Sequence, residues 1–194
     1  MTVTAIAINC TLKPSDGEDS STDRMIGMLA DALKQQDVEL AEVLRIADHD
    51  VKPGVTSDEG EGDAWPALRE KILAHDILIF GGPIWLGQIG SVAKRVLERM
   101  DAFLDETDDA GRMPSYGKVA VAAIVGNEDG AHFSTAQLFQ SLNDTGWTIP
   151  AVGACYWVGE AMGSTDFKDL KAVPDKVETT AAMVAGNAAP WPGC

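Results

Sequence analysis

The sequence has little cysteine, little histidine and little positive charge. Its three cysteines, Cys10, Cys155 and Cys194, are odd in number and widely spaced, which argues against a disulfide framework. There is no Cys-x-x-Cys, so zinc ribbons and cysteine-ligated iron–sulfur clusters are not indicated. His49, His75 and His132 have no metal-ligand spacing, and no metal is expected. Lysine and arginine number 15 against 30 aspartates and glutamates, a formal charge of −15. That field repels nucleic acid and anionic lipid, so neither is an expected partner. It equally suits a salt-adapted host. An anionic ligand would need a local device, such as backbone amides or a helix amino terminus. No run approaches the roughly 18–20 apolar residues that span a bilayer. Met1-Thr2-Val3-Thr4 has no basic segment of the signal-peptide kind, so the expected compartment is the cytoplasm.

What is present is a full set of core-forming residues, 45% of the 194. The length predicts one domain over 1–194, with a carboxyl-terminal extension from about residue 160. The chain is organised around Ile77-Leu78-Ile79-Phe80-Gly81-Gly82-Pro83-Ile84-Trp85-Leu86-Gly87-Gln88-Ile89. The four apolar residues predict a strand buried on both faces, and the glycine pair with proline is read as its end. A helix is expected from Gln88 or Ile89, with Ile89, Val92, Ala93, Val96, Leu97, Met100 and Phe103 as its apolar stripe. Strand, loop and helix make half a βαβ unit, and such sheets bind ligands outside the carboxyl ends of their strands. Trp85 beside free amides suits a flat ring better than a phosphate.

Thr2 to Asn9 predicts the first strand. A long hydroxyl-rich loop follows, with Ser20, Ser21 or Thr22 able to cap the next helix. Thr11, Lys13, Ser20, Ser21 and Thr22 could hold a phosphate there, with help from the helix dipole. A solvated loop with one ordinary cap is the alternative. Glu39–Ile46 predicts an edge strand, and 48–63 a polar loop that is mobile around 57–61, its acidic run a solvated face. A lid over the ligand is the minority account of that run. Asp63 is expected to cap a short helix that has Pro66 in its first turn. Lys118–Val125 predicts a further buried strand, Phe133–Leu142 a helix, Trp147–Trp157 a fifth strand, and 159–163 another loop. Residues 166–185 are weakly helical with Pro174 interrupting, and the tail 187–194 is read as frayed or tucked onto a partner. Strands alternating with helices define an α/β class with a parallel sheet.

The loops 10–22, 82–88 and 126–132 share one rim. With Gly82-Pro83-Ile84-Trp85-Leu86-Gly87-Gln88-Ile89-Gly90-Ser91-Val92-Ala93-Lys94 at its centre, the chain resembles the flavodoxin-like superfamily. Within it, the chain resembles the NAD(P)H-dependent FMN reductases, over roughly residues 2–160. The resemblance implies a doubly wound five-stranded parallel sheet of order 2-1-3-4-5 with helices on both faces. It implies FMN as cofactor, its phosphate on Thr11, Lys13, Ser20, Ser21 and Thr22. The ring would lie along Gly82, Pro83, Ile84, Trp85, Leu86 and Gly87. Gly126, Asn127, Glu128, Asp129 and Gly130 would approach the ring and ribityl chain. Cys10, standing where relatives show glycine, is read as an inert small residue.

The expected activity is hydride transfer from NADPH or NADH through FMN to a quinone, flavin or similar small-molecule electron acceptor. No side chain acts as the catalyst. A homodimer or homotetramer is implied. The alternatives are a one-electron carrier of the flavodoxin type and a flavin-free binding module. Against the carrier, 10–22 does not match the compact phosphate loop of short-chain flavodoxins.

Overall fold

A computed structural model describes residues 3–17, 19–161 and 163–189. Five parallel strands form the sheet in the order β2-β1-β3-β5-β6. They are β1 (Thr4–Asn9), β2 (Glu39–Arg45), β3 (Ile77–Trp85), β5 (Val119–Gly126) and β6 (Ala154–Val158). A short strand β4 (Gln88–Ile89) folds back antiparallel on the end of β3. Counting the parallel strands alone, this is the expected doubly wound order.

Helices cover both faces, each turning its apolar stripe toward the sheet. Helices α2 (Trp65–Leu73), α3 (Ser91–Met100) and α4 (Ala131–Asp144) pack one core with Ile6, Ile8, Phe80 and Ile124. Helices α1 (Ser21–Lys34) and α5 (Asp175–Ala188) pack the other with Ala5, Ala7, Ile79 and Val125. Successive strand residues point to opposite faces, so the middles of β1, β3 and β5 are apolar on both. At the edge, β2 is mostly exposed.

Several boundaries differ from the sequence expectation. Strand β3 does not stop at Gly81-Gly82-Pro83; it pairs with β5 as far as Pro83↔Val125. The Gly81 carbonyl accepts from the Cys10 amide, so it faces β1. Alternation turns Pro83 to the same side, but β1 pairing ends at Asn9↔Gly81. The missing proline N–H therefore costs no ladder bond. Gly81 is needed for space: a Cβ there would lie 2.7 Å from Ile26 Cδ1 and 2.8 Å from Thr22 Cγ2. Ile89 belongs to β4, and α3 begins only at Ser91. The fifth parallel strand is confined to Ala154–Val158; Thr148 makes an isolated bridge to Val119, and Val152 at φ 52° breaks the run. Pro174 does interrupt the last helix, and α5 starts after it. The tail beyond 189 lies outside the described residues.

The 48–63 loop is tied down. Arg99 of α3 and Asp63 are both fully buried and pair at 2.7 Å. Arg99 also donates to the carbonyls of Thr56 and Lys52. Asp63 accepts the Trp65 amide at the start of α2, although Ala64 holds the formal cap position.

Candidate functional site

Segments at the carboxyl ends of β1, β3, β5 and β6 enclose a cavity of about 500 Å³, a size typical of small-molecule sites. Of the residues expected from sequence, Thr11, Lys13, Ser20, Ser21, Thr22, Pro83, Ile84, Trp85, Gly126, Asn127 and Glu128 line it. None of its lining comes from 48–63, so the acidic loop is no lid over it in this conformation.

One end is built on the amino terminus of α1. Ser20 caps it: its Oγ accepts the Asp23 amide at 3.1 Å and donates to Asp23 Oδ2 at 3.0 Å. The Asp23 carboxylate returns a bond from the Ser20 amide, completing a capping box. The buried Asn9 side chain donates to Ser20 Oγ and Asp23, and its Oδ1 takes the Thr11 amide at 2.9 Å. Ser20 is thus fully committed to the cap. Burial raises the Asp23 pKa, but the bonds from Ser20 and Asn9 and the Arg45 ion pair outweigh it and hold the carboxyl below its usual range. Thr22 differs: its Oγ1 is buried with no partner among the described residues. A buried hydroxyl without a partner costs about 1–3 kcal/mol, which an anion at a helix amino terminus would relieve. Lys13 and Lys168 also line the cavity.

The other end is largely apolar, formed by Pro83, Ile84, half-exposed Trp85, Val125 and Trp157. Gly126 lets β3 come close: a Cβ there would lie 2.8 Å from Ile84 Cβ. A hydroxyl-rich helix terminus joined to a flat apolar wall fits a phosphorylated aromatic ligand, and FMN has both parts.

Gly82, Leu86, Gly87, Asp129 and Gly130 are not among the lining residues. Leu86 and Gly87, at φ 53° and 76°, form the two-residue turn between β3 and β4. Glu128 accepts their amides at 2.9 and 3.2 Å, which holds a leucine in a conformation it disfavours. Gly130, at φ 124°, lies against that turn, and a Cβ on it would fall 2.4 Å from the Gly87 carbonyl oxygen. Glu128 and Gly130 thus fix the hairpin. Cys10 is wholly buried, and burial pushes its thiol well above the ordinary range; it is an inert packing residue.

The sequence expectation missed the fourth wall: Trp157, Gly163, Asp166, Phe167 and Lys168. Its signal was topological, since a loop after the last parallel strand opens on the same rim. Among the described residues no group of His, Cys, Asp and Glu could hold a metal ion, and no helix is long and apolar enough to cross a membrane.

The doubly wound sheet defines a flavodoxin-like α/β protein, and the cavity lies at the carboxyl-terminal rim of that sheet. Residues 3–162 match the model of the NADPH-dependent FMN reductase family, and the chain belongs to that family. It is 32% identical over 170 residues to 8-demethyl-8-aminoriboflavin-5'-phosphate synthase of Streptomyces davaonensis, covering 83% of this chain and 65% of that one. It is 38% identical over 169 residues to a Mycobacterium bovis protein named divalent metal cation transporter MntH, covering 85% of this chain and 24% of that one. The chain therefore spans less than two thirds of either curated relative. The structure of RosB with bound 8-demethyl-8-formylriboflavin-5'-phosphate superposes with a TM-score of 0.83 at 28% identity, covering 96% of this chain and 77% of that one. An FMN-dependent NADH-azoreductase from Bacillus anthracis in complex with FMN gives 0.60 at 12% identity, covering 96% of this chain and all of that one. This last likeness is one of fold alone.

Proposed function

We propose that this chain binds FMN in the rim cavity and carries hydride from NADH or NADPH to a quinone, free flavin or similar small acceptor. The observation that carries it is the Thr22 hydroxyl at the α1 terminus, without a partner among the described residues, in the same cavity as the Pro83–Trp85 wall. Bound FMN would supply the two-electron chemistry. The chain's own residues bind and orient. Ser21, Thr22 and Thr11 hold the phosphate, with Lys13 near. Pro83, Ile84 and Trp85 flank the ring, and Gly126 to Glu128 approach from β5. Half-exposed Trp85 leaves one side accessible to a second flat substrate. A homodimer or homotetramer would cover apolar surface at Leu86 and Phe133, both exposed.

Thr22→Val removes the orphan hydroxyl at nearly constant shape. The flavin-free protein is expected to gain up to about 1 kcal/mol, while FMN binding weakens by about 1.5–3 kcal/mol. Thermal melts and FMN titration of the same variant check both signs.

Anaerobic stopped-flow mixing of FMN-loaded protein with each nicotinamide tests the activity. The flavin absorbance should bleach in a bimolecular step. Reoxidation by a quinone should be independent, giving ping-pong kinetics. If neither nicotinamide bleaches it while dithionite yields a stable one-electron form, the protein is a carrier instead.

A second reading has its own support. RosB superposes with a TM-score of 0.83 and the S. davaonensis synthase is 32% identical, and their names concern ring-modified flavin phosphates. On that reading FMN is the substrate. Mass spectrometry of flavin recovered after turnover separates the two: unchanged FMN supports the reductase, an altered ring the modifying enzyme.

A further inference from the structure

Arg24 sits near the start of α1, yet its guanidinium reaches the segment that follows β6. Its Nη1 donates to the carbonyls of Phe167 at 2.7 Å, Lys168 at 3.0 Å and Leu170 at 2.9 Å. Three acceptors share the hydrogens of one nitrogen. The guanidinium carbon also stands 5.3 Å from the centre of the buried Phe167 ring, within cation–π range. The same segment meets α1 again where the Lys168 amide donates to Ser21 Oγ at 3.2 Å. A third tie runs to the β5 loop, Asn127 Nδ2 donating to Asp166 Oδ1 at 2.7 Å. Asp166, Phe167 and Lys168 line the cavity together with Ser21 and Thr22.

We infer that Asp166–Lys168 forms a strap closing the anion end of the cavity, and that Arg24 is the positioning residue that seats it. The inference rests on the flavin-phosphate binding proposed above. Two elements far apart in sequence then share the phosphate. The α1 terminus supplies amides, the helix dipole and hydroxyls. The strap supplies the Lys168 ammonium, which stands 4.0 Å from the Asp169 carboxylate. The Ser21 oxygen accepts the Lys168 amide, so its own proton remains for another acceptor. In a chain of charge −15, a cation placed at this end makes the site selective for the phosphorylated flavin. Arg24 commits its guanidinium to strap carbonyls, so its influence on the ligand passes through Lys168 and Ser21.

The test compares dissociation constants for FMN and riboflavin, which lacks the phosphate, in wild type, Arg24→Gln, Lys168→Met and the double variant. Amide hydrogen exchange of 163–170 is followed in the flavin-free proteins. Arg24→Gln should raise exchange across 163–170 and leave that of β3 and β5 unchanged. It should weaken FMN about tenfold, with riboflavin within about twofold. Lys168→Met should show the same selective loss without the exchange change. The double variant should lose less than the product of the two, because both act on one element. If Arg24→Gln does not fold, the partly exposed Lys168 carries the test alone. Equal weakening of both flavins, or an unchanged ratio in the variants of a wild type that binds FMN, overturns the strap only. A wild type that binds neither flavin overturns the proposed function and, with it, the strap's phosphate role.

Discussion

Arg99→Met is expected to lower stability by about 3–5 kcal/mol, the cost of leaving a buried charge without its partner. Asp63 and Arg99 are both fully buried and 2.7 Å apart. Asp63 keeps amide bonds from Glu59, Trp65 and Lys52, but amides alone do not neutralise it. The variant also frees the Thr56 and Lys52 carbonyls that Arg99 satisfies. Methionine preserves the stem packing, so the loss reports on charge and hydrogen bonds. Urea unfolding measures it, and adding Asp63→Asn should recover part of it. A loss below about 1 kcal/mol would show the pair to be dispensable.

The same pair sets an acid response. Burial alone raises the Asp63 pKa, but Arg99 and the three amides outweigh it and hold the carboxyl well below the usual range. A group depressed on folding adds stability above its unfolded value, about 3.9 for aspartate, and that stability is lost as pH falls from there toward the folded value. Below about pH 4, wild type should therefore lose stability more steeply than Arg99→Met.

Thr11→Ala with Ser21→Ala is expected to weaken FMN by about 2–4 kcal/mol, from two lost bonds to a dianion. Both residues line the cavity, and neither carries the cap, which belongs to Ser20. The helix should therefore remain intact, and riboflavin should bind the double variant almost as well as wild type. Calorimetric titration of both ligands separates the outcomes. Equal losses would put the phosphate elsewhere in the cavity.

Much of this architecture was legible because it is written in local pattern. Ile77–Phe80, Lys118–Val125 and the Val92–Met100 stripe each declare a buried face, and their alternation implies the parallel sheet. The places that escaped depend on distant partners. Gly81-Gly82-Pro83 looks like a strand end, and only the early termination of β1 makes a proline harmless there. The turn at Leu86-Gly87 is too short for any periodicity, and Glu128, across the rim, holds it. Ser20, Ser21 and Thr22 are alike as hydroxyls in a row. Only the fold shows that one is the cap, one accepts the Lys168 amide and one has no partner among the described residues. The Phe167 wall is seated by Arg24, 143 residues away, and no window of sequence contains both.

The central claim is that this cavity holds FMN, and a direct titration of purified protein with FMN tests it. Following the visible flavin absorbance and the quenching of flavin fluorescence, the account predicts saturation at one FMN per chain with micromolar or tighter affinity. Thr11→Ala with Ser21→Ala should shift that curve markedly. No saturable binding in the micromolar range, or binding indifferent to these hydroxyls, would contradict it.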